Sequence, residues 1–354
     1  MLIWEKLLNP ARRKSINGSS RSSNTAAGRT QFERDYDRIL FAAPTRRLAD
    51  KTQVFPMEES DYVRTRLTHS HEVSNLARSI GVRLAFEHPE VFGSDHERLE
   101  VKRNVPALLA AVGLAHDLGN PPFGHQGEKA IRQWFGDIKD SSVDPDFAEF
   151  DGNAQTFRLL TRLQIINDQF GLNLTIGTLA ALVKYPSIYG SNAKGGFKKY
   201  GIFQSERQII EEVWEHSGLE AGMRHPLAYV MEACDDIAYS VIDAEDTVKK
   251  GYASFYDLLD FLGSYAAGDG VVAAVITTSR EYNEEFRKED LSSRELNDVS
   301  MQMFRVSAIA QMVPAASDEF VASARKMLDG SIDKGFELIA SSLSIPAKMT
   351  VHSG

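Results

Sequence analysis

The chain has 354 residues, 43% of them hydrophobic, which is enough apolar material for one large domain or two ordinary ones. A formal net charge of −9 at pH 7 with no long basic stripe argues against nucleic acid as the main ligand, although a local basic groove for single strands stays open. A single cysteine excludes an intrachain disulfide and fits a reducing cytoplasm, and no apolar run approaches the roughly 18 residues that span a bilayer.

The opening stretch, MLIWEKLLNPARRK, is interrupted by Glu5 and Lys6 and lacks the apolar core of a signal peptide. Residues 1–31 are expected to be a mobile N-terminal segment, with the Ser-, Gly- and Asn-rich residues 15–30 free to cover a site or a partner surface. Helical periodicity then recurs at 70–87, 105–117, 126–135, 205–216, 226–250, 271–287 and 299–312, while strand-like alternation is scarce. The pattern predicts an all-α bundle, with long loops over 137–151 and 190–201.

Three of these helices carry groups that bind metals. In HSHEVSNLARSIGVRLAFE, Val73, Leu76, Ile80 and Leu84 recur at helical spacing and carry His69 on the same inward face. His116 ends NVPALLAAVGLAHDLG on a stripe with Leu109 and Val112, and Asp117 follows it. Asp235, Tyr239 and Asp243 fall at i, i+4 and i+8 of HPLAYVMEACDDIAYSVIDAED, which aligns two carboxylates and a phenol. Two imidazoles and two carboxylates, His69, His116, Asp117 and Asp235, would together close on one divalent ion. A lone histidine on an apolar face is more often a core residue than a ligand, and a His-Asp dipeptide arises easily by chance. A buried carboxylate is costly without a cation or a fork of donors, so Asp117 and Asp235 argue harder. Cys234, beside Asp235 on an apolar helix, reads as packing.

After the dipeptide, HDLGNPPFGHQGEKAI breaks the helix at Gly119, Asn120, Pro121 and Pro122, then restarts one carrying His125 and Glu128 at i and i+3. A carboxylate one turn from an imidazole orients it and raises its basicity, and a new helix N-terminus offers an anion site. An ordinary helix-turn-helix accounts for the same letters. Arg64 and Arg66 precede the His69 helix as either a surface pair or, for Arg66, a bidentate phosphate ligand. The basic FKKY stretch reads equally well as a solvated turn.

Taken together, RTRLTHSHEV, LAHDLGNPPFGHQGEKAI, FDGNAQTFR, LVKYPS, FKKYGIFQSE and EACDDIAYSVIDAED resemble the deoxynucleoside triphosphate triphosphohydrolases of the HD superfamily, in particular the bacterial deoxyguanosine triphosphate triphosphohydrolases. The resemblance runs in order from about Phe32 to about Tyr252. It implies an HD-domain helical bundle over 32–252, a helical C-terminal extension over 253–354 packed on the core as one domain, and a chain shorter than its relatives.

The resemblance further implies that His69, His116, Asp117 and Asp235 hold one Mn²⁺ or Mg²⁺, that His125 is catalytic, and that Glu128 is its acidic partner. It places Arg66, Lys184, Tyr185, Lys199, Tyr239 and Asp243 on the triphosphate or sugar, and Gln53 of KTQVFP on the deoxyribose. Asn120, counted with the substrate contacts, and Asn153 stand where broader relatives can have histidine, which favours a single-metal site. The implied reaction is hydrolysis of a deoxynucleoside triphosphate, dGTP favoured, to deoxynucleoside and tripolyphosphate by a cytoplasmic homo-oligomer, with a hexamer as the leading arrangement. The alternatives are an HD enzyme acting on nucleoside monophosphates or cyclic nucleotides, and a non-catalytic nucleotide sensor. The cationic blocks around Lys184 and Lys199 weigh against the first, and retention of His125 and Glu128 against the second.

Overall fold

The structure, a computed structural model, describes residues 1–18, 28–55, 64–138, 144–164, 168–190, 197, 199–265, 268–333 and 335–339. Among these residues every regular element is helical, and strand-type pairing is confined to three isolated bridges, Arg12 with Thr175, Thr52 with Thr65 and Ile188 with Ile202. The all-α class expected from the periodicity is the one adopted. The principal helices are α1 (Gln31–Leu40), α2 (Arg66–Glu87), α3 (Val101–Ala115), α4 (Gly124–Asp137), α5 (Gly152–Arg158), α6 (Ile176–Leu182), α7 (Arg207–Ser217), α8 (Pro226–Lys249), α9 (Phe255–Tyr265), α10 (Gly270–Phe286) and α11 (Ser293–Asp329). None of the described helices is long and apolar enough to cross a membrane.

Two compact units divide the chain. The first comprises Met1–Met231 with Ser323–Gly335, and the second is built on Glu232–Ala322. The division between them falls inside α8.

The first unit is organised around α2 and α3. Thr65 caps α2 by accepting from the Thr68 N–H at 3.4 Å, and the buried stripe Val73, Ala77, Ile80 and Leu84 follows at helical spacing. Complete burial of Val73, Ile80 and Leu84 contributes about 1.5–3 kcal/mol each. α3 is buried nearly all round from Leu108 to Ala115, wider than the Leu109, Val112, His116 stripe, because α1 and α6 pack on it as well as α2. At Gly113 a Cβ would stand 2.8 Å from the Ser74 Cα, so only glycine lets the two helices cross this closely. Ser74 Oγ donates to the Ala110 carbonyl at 2.8 Å beside the crossing. The same approach brings the front of α2 to the end of α3, where His69 and His116 lie.

The expected N-terminal mobile segment starts instead with a packed stretch. Leu2, Trp4, Leu7 and Leu8 are buried, Trp4 Nε1 donates to the Val91 carbonyl at 2.8 Å, and Arg13–Ile16 forms a helical turn. Most of the expected 15–30 loop, residues 19–27, lies outside the described residues, as do 139–143, 191–196 and 198 of the two long loops.

In the second unit, Met301, Phe304, Ala308, Met312, Ala316 and Phe320 form one buried face of α11. That face continues past Pro314, so the helix runs far beyond the expected 299–312. A mid-helix proline costs about 3 kcal/mol, which sustained apolar burial on both sides offsets. Glu245 is fully buried and satisfied by Arg305 Nη1 at 2.6 Å and Lys249 Nζ at 2.8 Å.

Candidate metal centre and its surroundings

His69, on the buried stripe of α2, meets His116 at the C-cap of α3 with their rings edge-on and centroids 5.4 Å apart. With Asp117 they form a buried trio whose donor atoms all lie within 4.8 Å of one another. Two donors on one small divalent ion stand at most about 4.2 Å apart, so this set fits such an ion after a slight closing of side chains. The chemistry of the trio agrees. His116 Nδ1–H donates to the Gly113 carbonyl at 2.7 Å, which makes Nε2 the lone-pair nitrogen and fixes the ring as a ligand needs.

Asp117 is steered by two further groups. Arg66 Nη1 donates to Oδ2 at 2.5 Å and Asn120 Nδ2 to Oδ1 at 2.5 Å. Lys51 Nζ in turn donates to the Asn120 carbonyl at 2.6 Å. Burial, then the neighbouring Arg66, holds the Lys51 ammonium below its ordinary range. Two donors therefore bind the carboxylate, and Lys51 braces the second of them through its backbone carbonyl.

Helix α4 starts next to Arg66 and carries His125 and Glu128. His125 is exposed, whereas Glu128 is buried, and His125 Nδ1–H donates to Glu128 Oε2 at 2.9 Å. The other carboxylate oxygen accepts from the Gly152 N–H at 2.8 Å, and Arg132 and Lys199 approach Oε2 at 3.4 and 3.5 Å. Burial alone would raise the Glu128 carboxyl; the His125 hydrogen bond, the Lys199 charge and the Gly152 N–H outweigh it and hold the group at about 2. Glu128 is thus a fixed anion, and accepting from Nδ1–H it leaves Nε2 as the lone-pair nitrogen of the exposed His125 ring. Gly152 has no substitute here, since a Cβ would fall 1.9 Å from Asn120 Oδ1 and 3.0 Å from Glu128 Oε1.

Lys199 is engaged with carboxylates: its Nζ stands 3.0 Å from Asp151 Oδ2 as well as near Glu128. Burial acts to lower its ammonium, but Asp151 and Glu128 outweigh that and hold it above its ordinary range. Lys184 and Tyr185 are half-buried, with the Lys184 ammonium 5.8 Å from the Tyr185 ring centre. Gln53 is half-buried, and among the described residues its Oε1 has no hydrogen-bond partner. Asn153 Nδ2 donates to Asp151 Oδ1 at 2.9 Å, a local cap of α5 rather than a ligand position.

Asp235, Tyr239 and Asp243 belong to the second unit. The face they share along α8 is half-buried to exposed, while Ile237, Ala238, Val241 and Ile242 take the buried side. Cys234 is fully buried; burial, then the Asp235 and Asp236 carboxylates, push its thiol up, which suits packing and not nucleophilic chemistry.

Sequence reasoning missed Lys51, Arg132, Asp151 and Gly152. Lys51 looks like a surface cation in the letters, because its partner is 69 residues away, whereas Arg132 was within reach of the sequence, standing at i+4 from Glu128. Asp151 carried a usable signal: an aspartate opening a helix is a standard N-cap, and its Oδ1 accepts from the Asn153 N–H at 2.8 Å.

The comparisons with known proteins agree with this geometry. The HD domain signature matches residues 66–239, which takes in the trio, His125 and Glu128. A deoxyguanosinetriphosphate triphosphohydrolase-like protein of Listeria monocytogenes is 40% identical over 311 residues, covering 82% of this chain and 65% of that protein. A protein of the same description from Pseudomonas aeruginosa is 35% identical over 344 residues, 93% of this chain and 73% of the relative, and one from Synechocystis sp. is 39% identical over 287 residues, 74% and 64%. The chain therefore spans about two thirds of the length of these relatives. With an HD domain, and with identity above a third over nearly its whole length to the Pseudomonas protein, the chain belongs to the HD-domain family of deoxyguanosinetriphosphate triphosphohydrolase-like proteins.

Proposed function

We propose that the protein is a phosphohydrolase that splits a deoxynucleoside triphosphate, dGTP first among them, into deoxynucleoside and intact tripolyphosphate. The observation that carries this reading is the convergence on Asp117 of a metal-capable histidine pair and a buried Arg66 guanidinium, with the His125–Glu128 pair at the start of the next helix. His69, His116 and Asp117, with Asp235 as fourth ligand, would hold a single Mn²⁺ or Mg²⁺, which when bound supplies Lewis acidity and acidifies a water. Arg66 turns its planar fork to a phosphoryl oxygen while keeping Asp117 oriented. His125 transfers the proton through Nε2, its tautomer set by the ionised Glu128. Lys184, Lys199, Tyr185, Tyr239, Asp243, Asn120 and Gln53 bind the triphosphate and sugar in this reading. A local grip of this kind is needed because a net charge of −9 repels nucleotides at long range. The working form is taken to be a cytoplasmic homo-oligomer.

Ion-exchange chromatography of the products tests the reading. Purified protein with Mn²⁺ or Mg²⁺ should release deoxynucleoside and tripolyphosphate. Monophosphate plus pyrophosphate, or stepwise orthophosphate, refutes it. Asp235→Ala should lose bound metal and turnover together, whereas His125→Ala should keep the metal and lose turnover by about 10²–10⁴-fold.

A further inference from the structure

We infer that Arg224 is a positioning residue for the substrate grip, a buried guanidinium that holds Lys184, Tyr185 and the 199–202 stretch in place. The inference rests on the reading of those lysines and Tyr185 as substrate contacts. Arg224 is only 7% exposed, and a cation so buried needs replacements for its water. Three aromatic rings supply them: the Arg224 guanidinium carbon lies 5.1 Å from the ring centre of Tyr229, 5.3 Å from Phe197 and 5.6 Å from Tyr185. Its Nε also donates to the Lys184 carbonyl at 2.6 Å. One side chain therefore binds the backbone of Lys184 and the ring of Tyr185 at once.

The segment it clasps is bonded to the one that carries Lys199. Ser187 Oγ donates to the Lys199 carbonyl at 3.0 Å, the Gly201 and Ile202 N–H groups donate to the Ser187 carbonyl at 3.1 and 3.2 Å, and Tyr189 N–H donates to the Ile202 carbonyl at 3.0 Å. From the other side, Gly222 N–H donates to the Pro186 carbonyl at 2.8 Å. Residues 184–189 and 199–202 thus form one ledge, with Arg224 beneath Lys184 and Tyr185. The next residue anchors Arg224 itself, since His225 is fully buried and its Nε2–H donates to the Leu7 carbonyl at 3.2 Å. Lysine cannot replace this arrangement, because a point charge without a planar fork cannot stack among three rings and donate sideways to a carbonyl together.

The test compares the full chain with Arg224→Met and Arg224→Lys in Mn²⁺, using the deoxynucleoside triphosphate that the wild type turns over best. Arg224→Met should raise KM by about tenfold or more with kcat within about threefold and bound Mn²⁺ unchanged, the pattern of lost substrate binding rather than lost chemistry. Arg224→Lys should recover only part of the KM. Amide exchange should quicken at 184–189 and 199–202 and stay unchanged along α3. A KM within about twofold of wild type, or an equal fall in kcat at constant KM, overturns the inference. If Arg224→Met does not fold, Phe197→Leu removes one ring of the three, and an unchanged KM there overturns it equally. A wild-type chain that turns over no deoxynucleoside triphosphate refutes the proposed function instead, and the exchange comparison then decides alone whether Arg224 holds the ledge.

Discussion

Acidification should destabilise this fold through His225 before it reaches the Glu128 network. The His225 ring is fully buried, its Nε2–H donates to the Leu7 carbonyl, and its Nδ1 accepts from the Leu227 N–H at 3.1 Å, so both nitrogens are committed to the neutral form. Burial lowers its pKa from 6.5 to about 4, against a weaker opposing pull from the Leu7 carbonyl. The folded value lies below the unfolded one, so between about 6.5 and 4 the unfolded chain binds the proton first. Stability is full above that window and falls as pH drops through it. The slope approaches about 1.4 kcal/mol per pH unit only in the middle of the window, so the loss from pH 6.5 to 4.5 comes to about 2 kcal/mol, a sizeable part of an ordinary domain's stability. The Glu128 window lies lower, between 4.5 and about 2, and begins to contribute only as the His225 loss nears completion. Urea unfolding at pH 7.5, 6.5, 5.5 and 4.5, followed by tryptophan fluorescence, measures the effect, since Trp4 lies 6.2 Å from the His225 ring. His225→Gln should be less stable at pH 7.5 yet lose about 2 kcal/mol less than wild type between pH 6.5 and 4.5. Equal pH slopes in the two proteins refute the reasoning.

Two further predictions concern the site. Gly113→Val would drive its side chain into the Ser74 backbone and should destabilise the first unit by about 1–3 kcal/mol or more while lowering metal retention, read by thermal unfolding and by bound Mn²⁺. A variant that keeps both intact means that the α2–α3 crossing does not set the trio. Glu128→Gln replaces an anion that accepts from His125 Nδ1–H, Gly152 N–H and nearby cations with an amide able to present an N–H to the imidazole. Turnover should fall by about a hundredfold with metal content unchanged, and an unaltered kcat shows that the carboxylate does not set the His125 tautomer.

The parts of the site legible in the letters are those that local geometry dictates. His125 and Glu128 meet because residues three apart on a helix face each other, and His116 and Asp117 sit together because they are adjacent. His69 could be put on an inward face by its period alone, since the same face carries Val73 and Ile80. The supports were not legible. Lys51 and Arg224 act on groups tens of residues away, through a carbonyl or ring that any residue type could have supplied.

By itself the sequence determined the helical class, through apolar spacing, and the chemical types at the centre: imidazoles, carboxylates and an adjacent dyad. Only the tertiary structure decided that His69 and His116 stand together, because that depends on how closely α2 and α3 cross at Gly113. It also decided the states of the charged groups. Glu128 is an anion held at about 2, and His225 a neutral ring held at about 4, because burial acts on both while only Glu128 is given donors that outweigh it.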